Sequence, residues 1–331
     1  MTDLALDLGT STTRVVDGDG RLVVDEPTLA AVDADSGRLL AFGADALDTG
    51  ARAAGRVHLV RPVRRGQLAE LDLAEALLSE LVRRAGLTRT AHPRVLACAH
   101  VDATPVQHRA LERALHKAGA RQVGFVEQPV AGAIGAGLRI AEPTGSMVVE
   151  IGAGTTDVGL LALGGIVTGT CLPVGGEDLD AAVRRLLARR HHLVVDPATA
   201  AEVRQRLGSV AADAPEARAE VLGRDAETGR PSSAVLSRSE LRPVLLDLLV
   251  PVLDAVVGCI ADAPPDLAND LLGSGILLLG GASAVDGLDR RLARSTGLPV
   301  HVVDAPRLTA VRGAIGCADQ LALTRELARR H

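Results

Sequence analysis

Aromatic side chains are almost absent from this chain of 331 residues: Phe42 and Phe125 are the only two, with no Tyr or Trp. A platform on which successive bases of single-stranded nucleic acid stack therefore has nothing to be built from. Lysine is nearly as scarce, since Lys117 stands alone and every other Lys/Arg position is Arg. This excludes a phosphate loop of the G-x-x-x-x-G-K-[ST] type, and no such string occurs. The cysteines, Cys98, Cys171, Cys259 and Cys317, are scattered without a C-x-x-C pair. They read as small buried hydrophobes, not as a disulfide framework or a zinc site. No uninterrupted apolar run approaches the ~18 residues of a spanning helix. The opening Met1-Thr2-Asp3-Leu4 enters an apolar alternation at once, which does not fit a signal peptide. A formal net charge of −5 and a pI near 6.0 leave no electrostatic footprint for nucleic acid. These exclusions leave the expectation of a soluble, cytoplasmic protein.

With 47% hydrophobic and 23% charged residues the chain lies in the globular range. It is too long for one ordinary domain of roughly 100–200 residues, so two lobes are expected. Leu4–Asp7 and Arg14–Val16 read as strands joined by a polar turn, with a third strand at Leu22–Val24. Helical spacing marks Leu71–Ala85, Val106–Ala118 and the Ala/Gly-rich Val130–Leu138, and Arg94–Ala97 reads as a buried strand. In the second half, Ile166–Gly169 reads as a strand, and Leu179–Arg190 and Pro197–Leu207 as helices. A long helix, Ser239–Ala261, is expected to be interrupted at Pro251, and Ala211–Ser233 is polar with strand-like stretches. A buried strand at Gly275–Leu279, a helix from about Val285, a strand at Val300–Val303 and a helix at Val311–Leu321 complete the alternation. The expected class is α/β.

The opening pattern then returns. Asp3–Val16 reads DLALDLGTSTTRVV and Ser146–Gly159 reads SMVVEIGAGTTDVG. At an offset of 143 residues Gly9 matches Gly152, Thr12 matches Thr155, Thr13 matches Thr156, and Asp7 falls on Glu150. Two lobes that each open with the same hairpin are the simplest account.

A nucleotide phosphate requires close backbone approach, many N–H donors and a carboxylate to hold Mg²⁺. Asp7-Leu8-Gly9-Thr10 and Glu150-Ile151-Gly152-Ala153-Gly154-Thr155 supply these elements, and Gly280-Gly281-Ala282-Ser283 ends a buried strand and opens a helix. The three turns in this order resemble the actin, heat-shock chaperone and sugar-kinase superfamily. Longer stretches resemble the MreB/Mbl family of bacterial actin homologues. These are LDLGTSTTRVV at Leu6–Val16, RPVRRGQLAE at Arg61–Glu70, AGARQVGFVEQPVAGAIGAGL at Ala118–Leu138, VGGEDLD at Val174–Asp180 and APPDLANDLLGSGILLLGGAS at Ala263–Ser283.

The resemblance implies an actin-like, duplicated RNase H-like fold of two lobes with ATP and Mg²⁺ between them. The lobes would span 1–140 plus 305–331, with a small subdomain at about 29–59, and 141–304, with one at about 178–239. It further implies filament assembly by self-association in paired protofilaments, support of cell shape or cell-wall synthesis, contact with wall-synthesis proteins, and at most a slow ATPase coupled to assembly. Carried over by residue, Thr10, Ser11 and Thr12 form one phosphate loop, and Gly152, Ala153, Gly154 and Thr155 the other. The ribose and adenine lie between Ala201, Glu202, Val203 and Arg204 and the turn of Gly280, Gly281, Ala282 and Ser283. Asp7 and Glu150 are the metal ligands, and Glu127 and Gln128 the catalytic pair.

Several residues depart from the family pattern. Glu150 replaces Asp, which extends the carboxylate by roughly 1.5 Å, and Mg²⁺ tolerates little deviation from octahedral geometry. Gln128 replaces the Glu that positions the attacking water; an amide can orient water but cannot take its proton, so slower hydrolysis is expected. Ala201 replaces a Glu near the adenosine, and Ala282 replaces a Gly. Arg14 reads most simply as an exposed strand arginine, though its guanidinium could reach a phosphate. The membrane loop of the family corresponds to Ala85–His92, where Leu87 is the only sizeable apolar residue and Arg89 adds charge, so membrane contact is expected to be weak or indirect. A non-polymerising, nucleotide-binding scaffold with impaired hydrolysis is the alternative. His191-His192 reads as a solvated helix end, and the glycines of 132–137 as close helix packing.

Overall fold

The computed structural model describes residues 3–53, 55–85 and 93–317. The chain opens with β1 (Asp3–Leu8), β2 (Thr12–Asp17), β3 (Leu22–Pro27), β4 (Ala30–Asp33), β5 (Leu39–Phe42), α1 (Ala44–Arg52) and β6 (Val57–Val60). It continues through β7 (Val63–Arg64), β8 (Gln67–Leu68), α2 (Leu71–Arg84), β9 (Arg94–Ala99), α3 (Pro105–Lys117), β10 (Gln122–Glu127) and α4 (Gln128–Gly135). The second half begins with β11 (Ser146–Ile151), β12 (Thr156–Ala162), β13 (Gly165–Leu172), α5 (Gly176–His191), β14 (Leu193–Val194), α6 (Pro197–Leu207), β15 (Arg218–Asp225) and β16 (Pro231–Ser237). It ends with α7 (Arg238–Ala261), α8 (Pro265–Ser274), β17 (Ile276–Leu279), α9 (Leu288–Thr296), β18 (Val300–Val302) and α10 (Thr309–Gly316).

The two halves repeat one topology. The first sheet runs β10-β9-β1-β2-β3 and the second β13-β12-β11-β17-β18, the same order read from the opposite edge. In both, three antiparallel strands from a meander are extended by two parallel strands. The parallel additions need crossover connections, and the intervening helices supply them. Residues matched by the sequence repeat occupy matched places: Leu8 pairs with Thr13 and Ile151 with Thr156 at the ends of the two hairpins.

Local chemistry explains several boundaries. Thr104 accepts the Gln107 N–H while the Gln107 side chain takes the Thr104 N–H, and Pro105 follows at the first helical position of α3. Ser237 and Glu240 make the same reciprocal cap on α7. Pro251 does not interrupt that helix. α7 runs unbroken through Pro243 and Pro251, because Leu241, Leu245, Leu249, Val252 and Val256 bury one continuous face in the second core. Among the described residues α7 alone is long and apolar enough to cross a membrane. Glu240, Asp247 and Asp254 break it into shorter apolar runs, which is why counting uninterrupted runs passed over it.

A first core gathers Leu4, Leu6, Val15, Leu77, Leu81, Val95 and Leu115, and a second packs the later sheet against α5, α6 and α7. A third cluster joins the two sheets through α4 and α10, taking Ala5 and Val16 from one sheet and Val148, Leu161 and Leu279 from the other. These two helices cross so closely that a Cβ on Gly135 would lie 1.9 Å from the Thr309 carbonyl oxygen, and one on Gly313 1.8 Å from that of Ala131. Of the glycines of 132–137, Gly135 thus serves this helix crossing and Gly132 packs against Leu279, while Gly137 follows the end of α4 at φ 82° with open space beside it.

Some elements depart from the sequence expectation. The β5-β4-β6 sheet with α1, and helix α8, were not marked by any clear periodicity. The helix expected from Val285 starts at Leu288, after a left-handed Gly287. His191 is not a solvated end: its Nε2 meets Glu240 Oε1 at 3.1 Å and ties α5 to α7, while His192 adopts the left-handed cap conformation. The loop reading at Ala85–His92 concerns residues of which 86–92 lie outside the described residues. The last helix as expected from sequence, Val311–Leu321, lies outside them beyond residue 317, as does the end of the 305–331 segment.

Candidate functional site

The β1–β2 and β11–β12 turns face one another across a cleft. A Cβ on Gly154 would lie 2.6 Å from Thr10 Oγ1, so only glycine lets the second turn approach the first this closely. Each turn is braced by the equivalent threonine: Thr13 Oγ1 meets Thr28 Oγ1 at 2.8 Å, and Thr156 Oγ1 donates to the Val174 carbonyl at 2.8 Å. The Thr10 hydroxyl accepts the Gly66 N–H at 3.1 Å, and Arg61 donates to the Thr10 carbonyl at 3.2 Å. The β7–β8 hairpin therefore roofs the first turn. It also reaches the second half, where Arg61 pairs with Glu177 at 3.3 Å and Arg65 with Asp178 at 3.4 Å.

Of the residues singled out from sequence, Asp7, Thr10, Ser11, Thr12, Gln128 and Glu150 line this cleft, and so do Gly152, Ala153, Gly154 and Thr155. Ala201, Arg204, Gly280, Gly281 and Ala282 line it as well. Glu127, Glu202, Val203 and Ser283 do not. Glu127 is exposed at the end of β10, and Glu202 is exposed and pairs with Arg206 at 3.7 Å. Val203 is buried in the second core, and the Ser283 hydroxyl is occupied by the Gly280 carbonyl at 2.7 Å. On a helix, residues three and four apart share a face, so Ala201 and Arg204 turn to the cleft together with Gln205, while Glu202 and Val203 turn away. That spacing was present in the sequence and would have found Gln205.

The third turn tolerates its alanine for a visible reason. Gly280 carries the left-handed conformation, φ 92°, whereas Ala282 is not among the positive-φ residues and donates its N–H to the Ile151 carbonyl at 2.9 Å. The demand for glycine falls on the first position of that turn and not on the third.

The electrostatics centre on two carboxylates. Asp7 is buried, and burial pushes its carboxyl above the ordinary range; the Arg14 guanidinium and the Gln128 hydrogen bond work against this. Arg14 is not an exposed strand arginine. Its side chain is only 12% exposed, lines the cleft, and stands 3.9 Å from Asp7 and 3.1 Å from Asp25. Gln128 Nε2 donates to Asp7 Oδ1 at 3.2 Å, which leaves Oε1 buried and without a partner. Glu150 is held well above its usual value by burial, then by the charges of Asp7 and Asp157, and its Oε2 is also buried without a partner. The orphaned Glu150 oxygen beside the Asp7 carboxylate makes a hard, oxygen-only donor set that suits Mg²⁺.

Sequence reasoning missed other cleft residues. His100, Asp157, Glu177, Asp180 and Arg307 all line it. Asp180 is bound by Arg204 Nε at 2.5 Å, so that arginine is committed within the second half. Among the described residues no Phe, Tyr or Trp lines the cleft.

Comparison with known proteins agrees with this geometry. The sequence pattern of the MreB/Mbl protein family matches residues 1–326. The cell shape-determining protein MreB of Escherichia coli K12 is 35% identical over 318 residues, 94% of this chain and 91% of that protein. The cell shape-determining protein Mbl of Bacillus subtilis 168 is 31% identical over 306 residues, 92% of each. The crystal structure of MreB 5 of Spiroplasma citri bound to AMPPNP superimposes with a TM-score of 0.91 at 26% identity, covering 99% of this chain and 98% of that one. The chain has the actin-like fold, and it belongs to the MreB/Mbl family.

Proposed function

We propose that this chain is an ATP-binding, actin-like cytoskeletal protein that assembles with copies of itself in the cytoplasm and supports cell shape or cell-wall synthesis. The carrying observation is the pair of hairpins in matched register, facing across one cleft with an unpartnered carboxylate oxygen between them, in a member of this family. The MreB 5 relatives bound to AMPPNP and to ADP support the nucleotide.

In this reading the Thr10–Thr12 and Gly152–Thr155 turns cradle the phosphates, and Asp7 and Glu150 hold Mg²⁺, directly or through water. Mg²⁺ bound there would supply charge stabilisation to the phosphate chain. Arg14 stands beside the same carboxylates and offsets part of their charge. Gln128, fixed by its donation to Asp7, presents Oε1 as an acceptor that orients a water without removing its proton. Hydrolysis is accordingly slow. The part of the cleft lined by Ala201, Gln205 and Arg307 takes the sugar and base.

Sedimentation of the purified chain with Mg-ATP, with Mg-ADP and without nucleotide, followed by electron microscopy, tests the proposal. Nucleotide-dependent filaments are expected. A chain that binds ATP yet stays in the supernatant would favour the non-polymerising scaffold, to which the amide at 128 and the alanine at 201 lend support. Contact with wall-synthesis proteins belongs to the filament reading and would be sought by co-sedimentation.

A further inference from the structure

Beneath the phosphate turns lies a cluster that the nucleotide reading does not use. His100 follows β9 of the first sheet, Asp157 lies on β12 of the second, and Cys171 stands opposite Asp157 on β13. Their donor atoms all lie within 4.8 Å of one another. We propose that His100, Asp157 and Cys171 form a binding site for a divalent transition metal of the zinc class, with ligands drawn from both halves of the molecule. The inference goes beyond nucleotide binding and filament assembly and does not depend on either.

The donor set decides the kind of ion. Imidazole, thiolate and one carboxylate oxygen suit a borderline-soft cation, whereas the oxygen-only set at Asp7 and Glu150 suits a hard one. Zinc bonds of about 2.0–2.3 Å place tetrahedral donors about 3.3–3.7 Å apart. His100 Nδ1 and Asp157 Oδ2, now 2.7 Å apart, would separate by less than about 1 Å, and Sγ would close by a similar amount. Side-chain rotation within one rotamer covers such shifts.

The surroundings already orient these groups as outer-shell partners do. Asp157 Oδ1 accepts the Val101 N–H at 3.0 Å, which fixes the carboxylate and leaves Oδ2 facing His100. The Nε2 edge of His100 is pressed on Gly66, where a Cβ would lie 1.7 Å from Nε2, so the ring presents Nδ1 to the cluster. Asp157 is 2% exposed, and His100 and Cys171 are half-buried. Because His100 and Asp157 also line the cleft, water has access to a fourth coordination position. Metal binding would balance as loss of the Cys171 thiol proton to solvent and formation of a metal–thiolate bond, with the imidazole neutral. Burial and the nearby Asp157 charge hold that thiol protonated in the metal-free chain. With His100 from one sheet and two ligands from the other, a bound ion would tie the halves together at the floor of the cleft.

Cobalt titration of the metal-free full chain, without nucleotide, tests this. The chain has no Trp or Tyr, so a thiolate-to-cobalt band in the near ultraviolet is read against little protein absorbance. The expected result is one cobalt per chain with tetrahedral visible bands, displaced by one equivalent of zinc and unaffected by excess magnesium. Cys171→Ser should abolish the charge-transfer band, His100→Ala should weaken affinity by about 100-fold, and Cys259→Ser should leave both unchanged. Circular dichroism on each variant confirms folding, and the unmodified chain alone suffices for the first reading. No band at stoichiometric cobalt would overturn the site and leave the cluster as a hydrogen-bonded histidine–aspartate pair, and a band that survives in folded Cys171→Ser would overturn it equally.

Discussion

The β1–β2 and β11–β12 hairpins are the same piece of structure with opposite charge plans. In the first, Asp7 pairs across the strands with Arg14; in the second, Glu150 pairs across the strands with Asp157. One carboxylate faces a guanidinium and accepts from Gln128, while the other faces a second carboxylate and keeps a buried oxygen unpartnered. The two hairpins therefore share backbone register and one matched glycine, Gly9 with Gly152, but not electrostatic balance. The imbalance locates the demand for a cation on the second hairpin, because a buried carboxylate without a partner either takes a proton or recruits a positive charge.

The largest effect should come from breaking the compensated side. Arg14→Leu leaves Asp7 buried beside Glu150 without its guanidinium, and should cost about 3 kcal/mol of stability in denaturant unfolding of the nucleotide-free chain. An unchanged midpoint would show that Arg14 serves only Asp25. Next, Gln128→Glu adds a group able to accept a proton on the first-hairpin side. Turnover of ATP should rise by at least about tenfold while nucleotide affinity stays the same; no rise would remove residue 128 from the hydrolytic step.

The uncompensated side should answer in the opposite sense. Glu150→Gln removes a buried charge that Arg14 offsets only in part, so the metal-free chain should gain about 1 kcal/mol. The smallest effect is its pH dependence. Burial raises Glu150 above its unfolded value, so the folded state binds the extra proton and stability falls as pH rises between the two values. Asp7 is shifted the same way by burial. For His100, burial alone would lower the imidazole, but the hydrogen bond and charge of Asp157 outweigh it and raise the value, again favouring lower pH. In chelator the melting temperature should therefore rise as pH is lowered from about 7.5 to about 5.5, with a shallower slope in Glu150→Gln. A rising melting temperature towards alkaline pH would contradict the assignment.

Legibility in the sequence followed locality. The hairpins could be read because a strand, a glycine and two threonines lie within about ten residues and recur, and the structure repeats their register. The β5-β4-β6 sheet was not legible, since its strands are four residues each and mix buried and exposed positions without a clear period. Within the cleft, residues on turns were found, and those on α6 were half found, because a contiguous run was taken where a helical face was needed. Arg14 was misjudged because burial of a strand face depends on what covers it, here the cleft. His100 and Asp157 escaped notice because they are 57 residues apart and meet only when the two sheets close on each other.

The most direct test is the affinity of a fluorescent ATP analogue for the purified chain, measured with Mg²⁺ and again after chelation followed by Mg²⁺ addition back. The account predicts at least about a tenfold loss on chelation, roughly 1.4 kcal/mol, recovered on addition, and no such dependence in Glu150→Gln. Equal affinity with and without Mg²⁺ in the unmodified chain would contradict it, because the unpartnered carboxylate of the second hairpin would then have no part in holding the nucleotide.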